Sequence, residues 1–164
     1  MKKQFDYKIN DKQINKFLKQ TLDITGDLTL LMKTARVVMK RIIDENFETQ
    51  GTKTGDKWQE WSDKWKKKRL KMDKTAGILT LDGYLRRSIK AQSGRDFALV
   101  STDKDYAAIH NFGGTKLLKH NQKMPKREFM RFDENAKDEL YTELYLKFED
   151  ILDEIEERKI KSGS

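Results

Sequence analysis

The sequence predicts an α+β fold: a small antiparallel sheet packed with two long helices, plus a basic arm that is extended or helical. Three observations carry this. Two stretches, beginning at Asp27 and Asp133, repeat apolar residues every three or four positions, the spacing of one helix face. Between them, Phe97-Ala-Leu-Val-Ser101 reads as a strand preceded by a hairpin turn. The 164 residues are 36% hydrophobic and 38% charged, with a mean hydropathy of −0.89. That composition suffices for one compact core with solvated extensions.

The elements follow in order. Ile14, Phe17 and Leu18 predict a short amphipathic turn or helix over 11–20. Asp23 to Asp27 supplies Asp, Thr, Gly and Asp, residues that end one helix and start the next. From Asp27, the apolar positions Leu28, Leu31, Met32, Ala35, Val38, Met39, Ile42 and Ile43 predict a helix ending near Phe47. Residues 49–77 read as a basic, mobile arm or loop, with nine Lys/Arg between Lys53 and Lys74 against four acids. Within it, Trp58, Trp61, Trp65 and Met72 would share one side of a helix, with Lys66-Lys-Lys-Arg69 solvated. Asp82-Gly83 marks a turn, followed by Leu85-Arg-Arg-Ser-Ile89. Ser93-Gly-Arg-Asp96 turns the chain into the Phe97–Ser101 strand, and Lys90 to Gln92 supplies its partner. Pro125 bounds an extended piece, Phe129-Met-Arg-Phe132. Residues 133–160 form the acidic C-terminal helix, with an apolar stripe from Leu140 to Ile155 and eleven acids against two lysines between Asp133 and Glu157. The whole of 1–164 reads as a single domain.

Charge and composition exclude several classes. There is no cysteine, so disulfide and thiolate chemistry are absent. The first five residues, Met1-Lys-Lys-Gln-Phe, resemble a signal n-region, but no apolar h-region follows. No run approaches the roughly 18 apolar residues of a membrane span, so neither export nor a membrane partner is expected. The formal net charge of +8 fits solubility, nucleic acid or an acidic protein surface. The basic segment 53–74 and the acidic segment 133–157 could pair between neighbouring subunits, pair within one chain, or stay as two solvated faces.

Enzyme chemistry finds little support. His110 and His120 are the only histidines, ten residues apart with no carboxylate between them, whereas a catalytic zinc takes three protein ligands in fixed geometry. No Gly-x-Ser-x-Gly elbow occurs. Gly51-Thr-Lys-Thr-Gly-Asp-Lys57 misses the phosphate-loop spacing by one residue and places Trp58 where a hydroxyl is required. No cofactor or metal is expected. Lys66-Lys-Lys-Arg69 beside Trp58, Trp61 and Trp65 is the best nucleic-acid candidate, against the simpler reading of a core-facing Trp stripe with a wet basic side.

Four blocks then stand in order. They are Gly55-Asp-Lys-Trp58 with Trp61 and Lys68-Arg69; Ile78-Leu79 with Asp82-Gly-Tyr-Leu-Arg-Arg-Ser-Ile89; Tyr106-Ala-Ala-Ile-His-Asn-Phe-Gly-Gly114; and Met124-Pro-Lys-Arg-Glu-Phe129. Together they resemble the phage virion morphogenesis family of tail-completion or neck proteins. That family carries Gly-x-x-Trp, Thr-Gly-x-Leu-x-x-Ser-Ile, Tyr-Ala-x-Ile-His-x-Phe-Gly and Pro-x-Arg-x-Phe blocks. Here Asp82 replaces the usual Thr, and Glu128 stands where Pro is common. The candidate interaction residues are therefore Trp58, Trp61, Trp65, Gly83, Leu85, Tyr106, Ile109, His110, Phe112, Gly113, Gly114, Pro125, Arg127 and Phe129. Gly113 and Gly114 permit positive φ or close backbone approach. Tyr106, Ile109 and Phe112 suit one face of a short helix, whereas a strand would group Tyr106, Ala108 and His110; the sequence leaves both open.

The resemblance implies a structural protein, without catalysis, that completes the tail or neck so that heads join tails. It implies a homo-oligomeric ring in the particle, made in the bacterial host cytoplasm, with a neck connector, tail terminator or tail tube as neighbour. The alternative is a basic nucleic-acid-binding module, and a neck protein would itself make non-specific DNA contact. The two differ in salt dependence: phosphate binding falls steeply with salt.

Overall fold

A computed structural model describes residues 12–71, 77–115 and 123–162. Six helices and one hairpin are seen there. Helix α1 spans Lys12–Thr25 and α2 spans Thr29–Glu48. Helix α3 covers Asp63–Lys71 and the short α4 Tyr84–Ser88. Strands β1 (Lys90–Ser93) and β2 (Ala98–Ser101) pair antiparallel, Lys90 opposite Ser101 and Ser93 opposite Ala98. Helix α5 is Ala107–Phe112, and α6 runs Glu134–Ser162. The expected α+β architecture, with its two long helices and central hairpin, is what forms.

Helix α2 is the middle layer, packing α6 and both strands of the hairpin. Leu31, Met32, Ala35, Val38, Met39, Ile42, Ile43 and Phe47 are all buried, as their spacing requires of a helix between two layers. Its start is set by Asp27, whose carboxylate accepts from the Thr29 amide (3.0 Å) and hydroxyl (2.8 Å). Gly26, at φ +71°, makes the left-handed turn out of α1. Helix α1 runs past the expected 11–20 to Thr25, and the Thr21 and Thr25 hydroxyls donate to the carbonyls four residues back. Phe17 then meets Tyr141 and Phe148 of α6 edge-on, at 5.4 and 5.5 Å between centroids.

Charge fastens α6 to α2. Arg41 donates to Glu139 (3.0 Å) and Glu143 (2.8 Å), while Lys53 bridges Glu45 and Glu139, each at 2.7 Å. Burial pushes the Glu139 carboxyl up, but hydrogen bonds from Lys53 and Arg41 outweigh it and hold the group below its ordinary value. Glu139 and Glu143 of α6 are thus paired within the chain. Its apolar stripe is buried only as far as Leu144.

Two sequence expectations need correction. The Trp stripe is not one helix: α3 begins only at Asp63, so Trp58 and Trp61 precede it; Met72 lies outside the described residues. The reason is a local hydrogen bond and a ring contact. The Trp58 amide donates to the Gln50 carbonyl (2.7 Å), and its indole sits edge-on to Phe47 at 5.5 Å, which bends the chain before Ser62 caps α3 through the Trp65 amide (3.4 Å). Within 49–77, Gly51, Thr54 and Trp58 are buried. The second correction concerns Phe129–Phe132, which is no strand but an irregular, bent segment. Its rings nonetheless enter the core: Phe129 lies 5.4 Å from Phe47.

Phe47 joins Trp58 to Phe129, so it ties the first and last of the four sequence blocks to α2. Phe47→Ala is expected to cost about 3–5 kcal/mol, the range for a truncated core phenylalanine. Urea unfolding followed by circular dichroism measures it.

Candidate functional site

The third and fourth blocks fold as one unit. Tyr106 leads into α5, so the helical reading of Tyr106–Phe112 holds. Ile109 faces the core at 7% exposure, while Tyr106 and Phe112 stay exposed; three-residue spacing drifts around so short a helix, and the three do not share a buried face. Gly113 ends α5 at φ +72°, ψ −173°, a conformation essentially confined to glycine. A Cβ there would lie 2.9 Å from the Lys126 nitrogen and the Met124 oxygen. Gly114 and Met124 exchange backbone hydrogen bonds of 3.0 and 2.8 Å.

Beyond Met124, the incoming chain has no strand partner among the described residues, so a helix carbonyl and two asparagine side chains satisfy its backbone. The Arg127 amide donates to the His110 carbonyl (2.9 Å). The Met130 amide donates to Asn111 Oδ1 (2.9 Å). Asn46 Nδ2, from α2, donates to the carbonyls of Glu128 (2.9 Å) and Phe129 (3.3 Å). Arg127, 5% exposed, donates from Nε to the Gln59 carbonyl (2.9 Å) and from Nη2 to that of Glu60 (3.4 Å). It thereby holds the first block against the fourth.

A groove of about 710 Å³ opens over this unit, lined by Trp61, Trp65, Arg69, His110, Pro125 and Arg127 among others. Trp61 and Trp65 are half-buried in its wall. The Arg69 guanidinium stacks 3.8 Å from the Trp61 ring centre, and Lys68 Nζ sits 5.1 Å from that of Trp65. Arg69 is buried at 4% exposure, against the expectation that the whole Lys66–Arg69 run is solvated. Its planar cation stacks flat on the indole.

His110 faces the groove with Tyr106 edge-on at 5.8 Å. Its Nδ1 is buried without a hydrogen-bond partner among the described residues. Burial first, and then the positive charge of Arg127, pull its pKa below 6.5, so the ring is neutral near pH 7. Among the described residues, no hydroxyl or carboxylate orients that nitrogen, as a catalytic base requires. No group of three or more His, Cys, Asp or Glu side chains able to hold a metal occurs among the described residues; His120 lies outside them.

The remaining candidates are distributed around this unit. Trp58, Leu85 and Phe129 are core residues. Gly83 opens α4 at φ +68°, and α4 leads into β1 through Ser88, whose hydroxyl meets that of Thr102 at 2.6 Å. Phe112, 56% exposed, points away from the groove, beside Asp133 and Glu134. The sequence assigns no role to Asn46 or Asn111, and places Arg69 within the basic run Lys66–Arg69. Asn111 carried a signal: a short-range amide between Ile109 and Phe112 in a helix with a buried side calls for a buried partner. Asn46, likewise, occupies the next turn of the α2 stripe after Ile42 and Ile43.

The description "phage virion morphogenesis family" belongs to the family model that matches residues 9–147 of this chain. The putative capsid assembly protein G of Escherichia phage Mu is 36% identical over 126 residues, covering 73% of this chain and 81% of that protein. The Mu-like prophage FluMu G protein 1 of Haemophilus influenzae is 24% identical over 137 residues, 82% of this chain and 88% of its own. G protein 2 of the same prophage is 27% identical over 121 residues, 74% and 78%. No solved structure matches the chain significantly.

Two outcomes are expected of this unit. Gly113→Ala should destabilise by about 1–3 kcal/mol from backbone strain alone, with the Lys126 and Met124 clash added, read as a lowered urea midpoint. Because His110 has a folded pKa below its unfolded 6.5, its contribution is fully present above pH 6.5 and is lost as pH falls through the folded value. The urea midpoint should therefore decline on acidification below neutral, and His110→Gln should flatten that decline.

Proposed function

This chain belongs to the phage virion morphogenesis family, and on that premise we propose that it completes the tail or neck of the particle so that DNA-filled heads join tails. It acts as a ring of identical subunits, by geometry and not by catalysis. Its neighbours are other virion proteins: a neck connector, a tail terminator or the tail tube. It is made in the host cytoplasm and resides in the virion.

The observation that carries this reading is what the family blocks build. Their buried members lock four distant segments into one rigid unit. Three of their aromatic side chains are left at the surface: Tyr84 at 64% exposure, Tyr106 at 39% and Phe112 at 56%. Exposed aromatics on a rigid frame suit protein neighbours. Among the described residues, no helix is long and apolar enough to cross a membrane. The capsid-assembly name of the Mu relative agrees with a role in building the particle.

Deleting the gene from its phage and imaging the lysate tests the proposal. Filled heads lying beside separate tails, or tails with aberrant ends, are expected. Intact, infectious particles would overturn it.

A further inference from the structure

Among the described residues, two charged stripes remain without ionic partners, and they match each other. On α3, Lys64, Lys67 and Lys71 recur at i, i+3 and i+7, along one helix face. All three are exposed, and none makes an ion pair among the described residues, whereas Lys66 pairs with Glu60. Leu70 stands among them at 81% exposure. On α6, Glu149, Asp153 and Glu156 recur at i, i+4 and i+7. They too are exposed and make no ion pair among the described residues, while Asp150, Glu154 and Glu157 pair with Lys147, Arg158 and Lys161 of the same helix. Each stripe is about 10 Å long, at 1.5 Å per residue. Leu152 falls on the acidic face, three residues after Glu149. The acidic stripe lies past residue 147, where the family match ends.

We infer that the Glu149–Glu156 face of α6 docks on the Lys64–Lys71 face of α3 in a second copy of this chain. The inference rests on the ring reading above and names the surfaces that would close it. The two faces are different patches of one chain, so the contact is head-to-tail, the kind that generates rings when the rotation closes. Exposed ion pairs add little affinity singly; here they set direction and register, and Leu70 against Leu152 supplies apolar contact. Duplex DNA is the weaker occupant, because an exposed leucine amid the lysines gains nothing from a phosphate backbone.

The chain has no cysteine, so an engineered disulfide reports unambiguously. Gene-deleted phage complemented with K67C/D153C should give particles whose subunits run, after oxidation, as a ladder of multimers that collapses on reduction. Either single-cysteine variant should give no ladder. Subunits that stay monomeric in those particles overturn the interface, yet leave the morphogenesis reading standing; that reading falls only if particles form without the gene. In parallel, K64E/K67E/K71E should lower phage titre about tenfold or more, and adding E149K/D153K/E156K to the same chain should restore it. An unchanged titre, or a loss the second set does not restore, overturns the proposal. An unrestored loss accompanied by lost retardation of a duplex DNA fragment assigns α3 to phosphate binding instead.

Discussion

The rest of the structure depends on one constraint: an irregular stretch of backbone, Met124 to Phe132, passes through the core without a sheet to satisfy it. Buried amides and carbonyls must find partners. This chain supplies them one at a time, from Gly114, from the His110 carbonyl, from Asn111 and from Asn46. Two of these partners, His110 and Asn111, sit on α5 and a third, Asn46, on α2, so satisfying the segment fixes α2 and α5 relative to each other. Arg127 extends the same logic outward, with its amide on His110 and its guanidinium on the carbonyls of Gln59 and Glu60. The first, third and fourth sequence blocks are tied together by that one segment.

Charge is divided by depth. Where α6 lies on α2, its acids are consumed inside the chain by Arg41 and Lys53. Farther along, the helix leaves the core: Leu144 is its last fully buried residue, and Ile160 is 73% exposed. Here the salt links run within the helix itself, and one acidic face is left over. In the groove, the Arg69 guanidinium stacks on the Trp61 ring and Lys68 Nζ sits over that of Trp65.

Much of the fold was legible in the sequence because it was written in periodicity. The α2 stripe, the α6 stripe and the Lys90–Ser101 hairpin each bury one face, and that requirement leaves a period of 3.6 or 2. What periodicity cannot encode is a residue whose partner is distant. Trp58, Trp61 and Trp65 have helical spacing, yet Trp58 is drawn into the core by Phe47 and Gln50, so the first two indoles never join the helix that holds the third. Arg69 read as one more solvated base in a run of four, and only the nearness of Trp61 made it a buried stacking cation. Phe129 to Phe132 read as extended, but Asn46 and Asn111 supply what a neighbouring strand would have.

By itself, then, the sequence determined the α+β class, the two long helices, the hairpin and the family, because each rests on local spacing or on short blocks of contiguous residues. Only the tertiary structure decided that the blocks form a single unit, that Tyr106–Phe112 is a helix with one buried residue of the three, and that the proximal and distal acids of α6 have different fates. Those outcomes turn on hydrogen bonds and ring contacts between residues tens of positions apart, and no local spacing records them.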